Sequence, residues 1–278
     1  MKGTLTAITG SNSSMKSCTA CSQLKSFYNF VTSLSLFSDE LMQTAGNFAT
    51  ELKFALDTEM AAAVREWART ELVPDPHAAD AEGDGYRTTS LYFDTQDLDV
   101  FFRRDSNGRA KFRIRRYNDG PVLFVERKLK RAGLVTKRRT EIPLDEVLRV
   151  LDADEDWSGR WFARRLSHRQ LRPVCQIEYR RTARLGMSST GPLRLTIDRH
   201  IVATSISTVA FTSHSGVEIL PGQEVLELKY RVHVPPLFKR LIEKFNLEPR
   251  AISKYRMGME ALGLAGDSDQ QKQIVANA

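Results

Sequence analysis

Short segments in which polar and apolar residues alternate recur between residues 51 and 232, and this pattern predicts a protein built mainly of β-strands. In residues 111–117, for example, Lys111, Arg113 and Arg115 are each followed by an apolar or aromatic residue or a further cation. The pattern predicts strands over residues 51–54, 86–94, 99–104, 111–117, 125–130, 137–142, 174–184, 193–200, 201–211 and 224–232.

Apolar residues at helical spacing interrupt these predicted strands. Asp57 is a typical N-cap for a first helix that ends before Pro74, and Pro235-Pro236 opens another helix at a position where proline is tolerated. Further helices are predicted over residues 143–152, 157–171 and 253–262, and Gly263 ends the last one. No solenoid repeat and no linker divides residues 47–265, so we expect one α+β domain.

One face of nearly every predicted strand is charged. On a single strand this would indicate a solvent-exposed face, but the pattern recurs while the opposite faces carry enough apolar residues to form a core with the helices. We therefore predict an antiparallel, closed β-barrel of about eight strands with the charged faces inside and the helices packed outside. The inward cations are Lys53, Lys111, Arg113, Arg115, Lys128, Lys130, Lys137, Arg139, Arg181, Arg194 and Lys229, with Lys254 opening the last helix; the carboxylates on the same faces are Glu51, Glu126, Glu141, Asp198 and Glu227.

So many cations facing one another repel strongly in a space of low dielectric constant, which favours a bound polyanion. Guanidinium groups bind phosphate oxygens in a bidentate manner, and ammonium groups add mobile point charges. A chain of phosphates is the ligand that suits a narrow cationic tunnel, whereas a barrel of this size has no room for duplex DNA. Since the cations alternate inward, we predict that nucleic acid is not the ligand.

Overall composition adds limits on the class of protein. The chain has 278 residues with 41 Lys+Arg against 34 Asp+Glu, and it contains no apolar stretch of the length that spans a membrane. Its three cysteines fit a reducing compartment, so we predict a cytoplasmic protein. Cys18 and Cys21 form a lone pair without further ligands and do not indicate a zinc site. Residues 1–46 are predicted to be a disordered leader and residues 266–278 a flexible tail.

A few basic residues do not belong to the inward set. Arg164, Arg165, His168, Arg169 and Arg172 lie on or beside one predicted helix and are interpreted as a solvated face. Arg127 and Arg138 are predicted to point to the face of their strands opposite the tunnel cations.

The order and spacing of several short motifs resemble the VTC domain, the catalytic fold of the vacuolar transporter chaperone polyphosphate polymerases. That domain belongs to the triphosphate tunnel metalloenzyme and CYTH-like group. The motifs are Glu51-x-Lys53, Ser90-Leu-Tyr-Phe-Asp94, Lys111-x-Arg113-x-Arg115-x-Tyr117, Glu126-x-Lys128-x-Lys130, Lys137-x-Arg139, Tyr179-x-Arg181-x-Ala183, Arg194-x-Thr196-x-Asp198, Glu227-Leu-Lys229-Tyr and Ser253-Lys254-Tyr255. The resemblance covers residues 47–265.

The resemblance implies roles for individual residues. It implies phosphate-gripping cations at Lys53, Arg113, Arg115, Lys128, Lys130, Arg181 and Arg194, a lysine near the tunnel wall at Lys254, and polar phosphate contacts at Tyr179 and Ser253. It also implies Glu227 as the ligand of a Mn²⁺ or Mg²⁺ ion, and we add Glu51 as a second ligand. The charge pattern adds Lys111, Lys137, Arg139 and Lys229 as further substrate contacts.

The activity that these expectations favour is a polyphosphate polymerase, which transfers the γ-phosphate of ATP to a growing polyphosphate chain. The wider group carries a further glutamate before Glu51, where this chain has Ala49, and this departure argues against a two-metal triphosphatase. A tunnel triphosphatase acting on tripolyphosphate or a nucleoside triphosphate, and a non-catalytic polyphosphate-binding module, remain as alternatives. Glu227 has an alternative reading too, as an ion-pair partner of Lys229 or Lys53. A membrane-protein partner that receives the product is compatible with the chain.

Overall fold

The computed structural model describes residues 50–75, 85–104, 107–131, 134–153, 156–213 and 215–264. The predicted leader, Ala49 and the predicted tail lie outside these residues, as do the side chains of residues 130–135 within their strands. The strands are β1 (Thr50–Asp57), β2 (Val73–Pro74), β3 (Gly85–Asp94), β4 (Ala110–Tyr117), β5 (Val122–Arg131), β6 (Leu134–Pro143), β7 (Arg172–Ser188), β8 (Gly191–Ser205), β9 (Val217–Glu218) and β10 (Gln223–Tyr230). The helices are α1 (Thr58–Glu71), α2 (Asp99–Phe102), α3 (Arg160–His168), α4 (Pro236–Lys244) and α5 (Lys254–Ala261), with 3₁₀ segments at Asn107–Arg109 and Leu144–Leu151.

The eight longer strands form one antiparallel sheet in the order β1-β10-β8-β7-β3-β4-β5-β6. The two short strands extend it at its margins, because β2 pairs with β7 and β9 pairs with β8. The α+β class, the antiparallel pairing and the number of long strands are therefore as the sequence predicts.

The predicted closure of the barrel is not formed by backbone hydrogen bonds in the described part of the chain, where β1 and β6 remain the two ends of the sheet. The sheet is nevertheless strongly curled. The evidence is that Lys128 Nζ on β5 lies 3.3 Å from a carboxylate oxygen of Glu51 on the distant strand β1. A side-chain ion pair spans the gap that we expected backbone pairing to fill. Polar alternation specifies which face of a strand is charged, but it carries no information on whether the last strand pairs with the first.

The curled sheet has an apolar outer face and a charged inner face. The inner face includes the ion pairs of Lys53 and Arg181 with Glu227 and the ion pair of Arg113 with Glu126. Two apolar clusters cover the outer face. In the first cluster, α3 and the second 3₁₀ segment pack against β4 and β5 through Phe112, Val125, Val150 and Phe162. In the second cluster, α1 and α4 pack against β1, β8 and β10 through residues that include Phe54, Val64, Leu226 and Phe238. Helices α1, α3 and α4 therefore lie outside the charged face, as predicted, whereas α5 starts at that face, where Lys254 pairs with Asp198.

Local signals account for the helix ends. Asp57 accepts a hydrogen bond from the backbone N–H of Met60 at 2.7 Å and caps α1, as its position before the apolar repeat predicts. Ser253 caps α5, and Gly263 follows that helix with a φ of 66°. Helix α5 crosses one end of the curled sheet, where Gly258 packs so closely on Ile177 that an added Cβ would lie 2.5 Å from its Cδ1.

Three predicted strands differ in the structure. Residues 99–104 do not form a strand, because Asp94 accepts hydrogen bonds from the backbone N–H groups of Val100 and Phe101 and starts the short helix α2. The two strands predicted over 193–200 and 201–211 are one strand, β8, which ends at Ser205, so residues 206–211 do not form the predicted strand. Within β8, His200 adopts a φ of 49° where the register with β7 shifts. A bulge of this kind bends a strand without ending it.

Candidate functional site

Cations outnumber carboxylates about two to one on the inner face, and the register of the strands sets which of them meet. The cations with described side chains are Lys53, Lys111, Arg113, Arg115, Lys128, Lys137, Arg139, Arg181, Arg194, Lys229 and Lys254, and the carboxylates in contact with them are Glu51, Asp75, Glu126, Asp198 and Glu227. The structure thus brings together the predicted site residues from seven strands (β1, β4 to β8 and β10) and from the start of α5, apart from Lys130, whose side chain lies outside the described residues. Glu141, expected on this face, is solvent-exposed.

Glu126 organises the cations of β4, β5 and β6. It lies opposite Arg113 on one side and Arg139 on the other, and its oxygens are 2.6 Å from Arg113 Nε, 3.0 Å from Lys137 Nζ and 3.5 Å from Arg139 Nε. Burial opposes ionisation of Glu126, but Arg113, Lys137, Arg115 and Arg139 outweigh it and hold its pKa well below the usual range. Arg113, Lys137 and Arg139 are therefore positioned by one buried carboxylate.

Asp198 plays the same part for β7 and α5. Its two oxygens accept hydrogen bonds of 2.6 and 2.8 Å from Arg181, the residue directly opposite on β7, and Lys254 Nζ lies 2.7 Å away. Burial raises the pKa of Asp198, but the charges of Arg181 and Lys254 together lower it by more, so the pKa lies below its usual value. Asp198 therefore ties the first residue of α5 to the inner face.

Glu51 and Glu227 share a group of lysines on β1 and β10. Lys53 Nζ is 2.8 Å from Glu51 and 3.8 Å from Glu227, and Lys229 Nζ is 3.7 Å from Glu227. Burial opposes ionisation of Glu227, but Lys229, a hydrogen bond with Glu51, and Lys53 hold its pKa well below the usual range. The ion pairs that the alternative reading of Glu227 expects are thus present, together with a second carboxylate beside it.

Several polar groups line the same face between these clusters. Arg115 donates hydrogen bonds to Ser90 Oγ at 3.1 Å and to the Tyr179 hydroxyl at 3.2 Å. Arg194 donates to the Tyr86 hydroxyl at 3.1 Å and lies 2.8 Å from Asp75. None of the carboxylates of the described residues lies within ion-pair distance of Arg115, so its direct hydrogen-bond partners are neutral oxygens and Glu126 acts on it only at longer range.

The start of α5 borders this surface. Ser253 Oγ accepts hydrogen bonds from its own helix, at Arg256 N–H, and from Lys111 Nζ at 2.8 Å, so its O–H can donate to an anion. Lys53 Nζ donates to the Ile252 carbonyl oxygen at 3.2 Å. Burial and the charges of Lys53 and Lys128 lower the pKa of Lys111 to about 7. A bound anion would restore full protonation of this lysine.

Some residues of the surface have no strong signal in the sequence. Asp75 follows β2 in a loop and pairs with Arg194 only because β2 pairs with β7. Tyr92, whose hydroxyl accepts a hydrogen bond from Arg113 at 3.2 Å, lies two residues after Ser90, and strict alternation from Ser90 would have identified it. Tyr255 packs under the surface, stacked on Tyr92 at 5.2 Å with its hydroxyl donating to Asp94.

The residues near Glu227 fit a divalent cation that takes its remaining ligands from substrate. No group of three or more His, Cys, Asp or Glu that could hold a metal is found among the described residues. Thr196, directly opposite Glu227 on β8, has a buried hydroxyl with no hydrogen-bond partner in the part of the chain described here. Mg²⁺ is commonly held by one or two carboxylates together with phosphate oxygens and water. Glu227, Glu51 and the Thr196 hydroxyl offer that donor set.

The profile of one protein family, the VTC domain, matches residues 48–263 of the chain. The chain belongs to the VTC domain family. The match covers every strand of the sheet and ends at the residue after α5 and its C-cap, so the whole inner face described above is part of the VTC domain. Family membership supports a function connected with polyphosphate or triphosphate.

Solved structures similar to this VTC domain include a candidate adenylate cyclase from Bacillus halodurans, with 15% identity, a TM-score of 0.49, and coverage of 74% of this chain and 94% of that chain. The protein PH1819 from Pyrococcus horikoshii matches with 14% identity and a TM-score of 0.44, covering 77% and 99% of the two chains. HpAC1 from Hippeastrum, an adenylyl cyclase candidate described as having a dominant triphosphatase activity, matches with 12% identity and a TM-score of 0.46, covering 76% and 94%. A search of curated proteins found no match.

No helix in the described ranges is long and apolar enough to cross a membrane.

Proposed function

We propose that this protein is a polyphosphate polymerase that transfers the γ-phosphate of ATP to the end of an inorganic polyphosphate chain. The observation that carries the proposal is the inner face itself, on which cations from seven strands and from α5 surround a shared surface and outnumber the carboxylates. A chain of phosphates supplies the missing negative charge without requiring a wide cavity.

The residues divide the work of transfer by their positions. Arg115, Arg194 and Lys111 contact only neutral oxygens or a single carboxylate, so we expect them to grip phosphate oxygens. Arg113, Arg181 and Lys254 are fixed by Glu126 and Asp198, which aims their remaining N–H donors at the same surface. Phosphoryl transfer depends on such positioning and on neutralising charge more than on covalent help from the protein.

The reaction needs no general base. An anionic terminal oxygen of the bound polyphosphate attacks the γ-phosphorus, the bond from the γ-phosphorus to the β–γ bridging oxygen breaks, and ADP leaves with that oxygen. A Mn²⁺ or Mg²⁺ ion, held by Glu227 with Glu51, would neutralise charge on the phosphate oxygens. Lys53 and Lys229 lie beside these carboxylates and would contact phosphate oxygens of the substrate.

The test is to incubate the purified chain with ATP and Mn²⁺ and to follow ADP release together with a polymer ladder on a gel. We expect both, and we expect Arg115→Gln to lower the rate at least about tenfold, the cost of one charge-assisted hydrogen bond. Arg199→Gln is the matched control, because Arg199 is an exposed strand arginine next to Asp198 on the opposite face. Orthophosphate without polymer would identify a triphosphatase, and polyphosphate binding without ATP turnover would identify a binding module.

A further inference from the structure

Four arginines that the inner-face chemistry does not use lie at the outer face of the sheet. Two of them are on strands, and two are on α3 and its C-cap. Arg127 on β5 and Arg138 on β6 are directly opposite each other in the strand register. Like charges directly opposite on neighbouring strands are destabilising. Arg127 is also the immediate neighbour of Lys128, so the two side chains point to opposite faces of one strand.

Helix α3 adds the other two arginines. Trp161, Arg165 and Arg169 follow one another at a spacing of four residues, so they lie along one side of the helix and its C-cap. The Arg138 guanidinium lies 4.3 Å from the centre of the Trp161 ring, and the Arg169 guanidinium lies 5.9 Å from the ring of Phe112. Phe112 is opposite Arg127 on β4. This side of α3 therefore lies over β6 at Trp161 and over β4 at Arg169. Strand β5 lies between β4 and β6, so Arg165, halfway between Trp161 and Arg169, is placed over Arg127 on β5.

Electrostatics agrees with this placement. Burial, followed by the charges of Arg165, Arg138 and Arg169, lowers the pKa of Arg127. Among the described residues, no carboxylate lies within ion-pair distance of Arg127, Arg138 or Arg165, while Arg169 donates a hydrogen bond to Asn107 at 3.1 Å. A helix C-terminus favours nearby cations, which accounts for Arg165 and Arg169, but it does not account for the paired arginines on the sheet.

We propose that Arg127, Arg138, Arg165 and Arg169 form a second binding site for inorganic polyphosphate, on the outer face of the sheet. Guanidinium groups at this density match closely spaced phosphates, and the planar Arg138 held on Trp161 is pre-oriented for bidentate contact. The choice of polyphosphate rests on the proposed function, which makes a chain longer than the inner face can hold. An outer site holds part of that chain while its end remains at the inner face, and two linked sites bind far more tightly than either alone.

Binding measurements test the proposal without ATP turnover, so its failure is separable from failure of the proposed function. Calorimetric titration of the full chain with tripolyphosphate should show two phases, and the variant Arg127→Gln/Arg165→Gln should retain one of them. The same variant should bind long-chain polyphosphate at least about tenfold more weakly. The control Arg164→Gln/Arg199→Gln removes the same charge from other exposed positions and should bind both ligands as the unchanged chain does.

Three results would overturn the proposal. The first is equal binding of long-chain polyphosphate by the double variant and its control. The second is displacement of polyphosphate by single-stranded DNA of similar charge with equal affinity, which would identify a general polyanion surface. The third is a lower melting temperature for the double variant than for its control, since removing repelling charges should leave stability unchanged or raise it. Arg138→Gln alone, at an exposed side chain, gives an independent measurement and should also weaken long-chain binding.

Discussion

Replacing Asp198 by asparagine tests whether one buried carboxylate holds the inner face together. Its side chain is fully buried, and it contacts Arg181 through two hydrogen bonds and Lys254 through an ion pair. Asparagine has nearly the same shape but no charge, and only one of its two side-chain groups accepts hydrogen bonds. The variant therefore leaves Lys254 without its counterion and leaves Arg181 with only the more distant carboxylate of Glu227, at 3.7 Å.

Removing one partner of a buried ion pair typically costs about 3–5 kcal/mol. For a domain of this size, each kcal/mol lowers the melting temperature by about 2–4 °C, so we expect a loss of roughly 6–20 °C. Asp119→Asn is the matched control, because its partner Arg87 is a surface residue and the Asp119 side chain is 76% exposed. Exposed pairs contribute within about 1 kcal/mol, so the control should melt within a few degrees of the unchanged protein.

The pH dependence gives a second readout with a defined sign. The folded-state pKa of Asp198 is lower than its unfolded value, so its contribution to stability is present above the unfolded pKa, near 4, and is lost as pH falls through the folded pKa. The stability difference between the unchanged protein and the asparagine variant should be constant from about pH 5 to pH 8 and should shrink below about pH 4.

Differential scanning calorimetry or urea unfolding at several pH values measures both effects. Tripolyphosphate should offset more of the loss in the variant than in the control, because the released Arg181 and Lys254 acquire a new anionic partner. A variant as stable as the control at pH 7, or a stability difference that grows as the pH is lowered, would refute the reasoning.

Three further predictions follow from other parts of the structure. In the unchanged protein, affinity for tripolyphosphate should fall as the pH rises above about 7, because Lys111 loses its proton there. The variant Lys111→Arg should retain its affinity at pH 8, and calorimetry that gives the two proteins the same dependence of affinity on pH would contradict this prediction. Glu227→Gln should abolish metal-dependent ADP release while Glu218→Gln, on the exposed short strand β9, should not, and full metal-dependent turnover by the first variant would remove Glu227 from the metal site. Phe162→Ala should destabilise the chain by about 3–5 kcal/mol in urea unfolding, because this fully buried ring joins α3 to Phe93 and Phe112, and a loss below about 1 kcal/mol would contradict the described packing.

The charged and apolar faces of the strands could be read from the chain because side-chain direction in a strand depends only on parity along the backbone. Lys111, Arg113 and Arg115 share a face for that reason, and the structure places all three on the inner face. Helix α1 could also be predicted from the sequence, because its cap at Asp57 and its apolar repeat are local features. The prediction of a strand over 99–104 was wrong because the hydrogen bonds that Asp94 accepts from the backbone N–H groups of α2 outweigh a weak local preference for a strand.

The partners within the inner face could not be read in this way. Asp198 was recognised as an acid on the charged side, but its pairing with Arg181 depends on the register of β7 and β8, and its pairing with Lys254 depends on where α5 lies. The same holds for Asp75 and Arg194, which are brought together by the short strand β2. Arg165 and Arg169 were interpreted as part of a solvated helix face. Only the packing of α3 across β4–β6 brings them next to Arg127 and Arg138.

The sequence by itself therefore determined the α+β class, the antiparallel strands and the identity of the cationic face, because these follow from short-range periodicity and residue chemistry. The tertiary structure decided which carboxylate holds which cation. It also decided that an ion pair links Glu51 on the edge strand β1 to Lys128 on β5, the neighbour of the other edge strand, where backbone pairing was expected. Those contacts join residues far apart along the chain. Register, strand curvature and helix docking set them, and none of these three is encoded in any single segment.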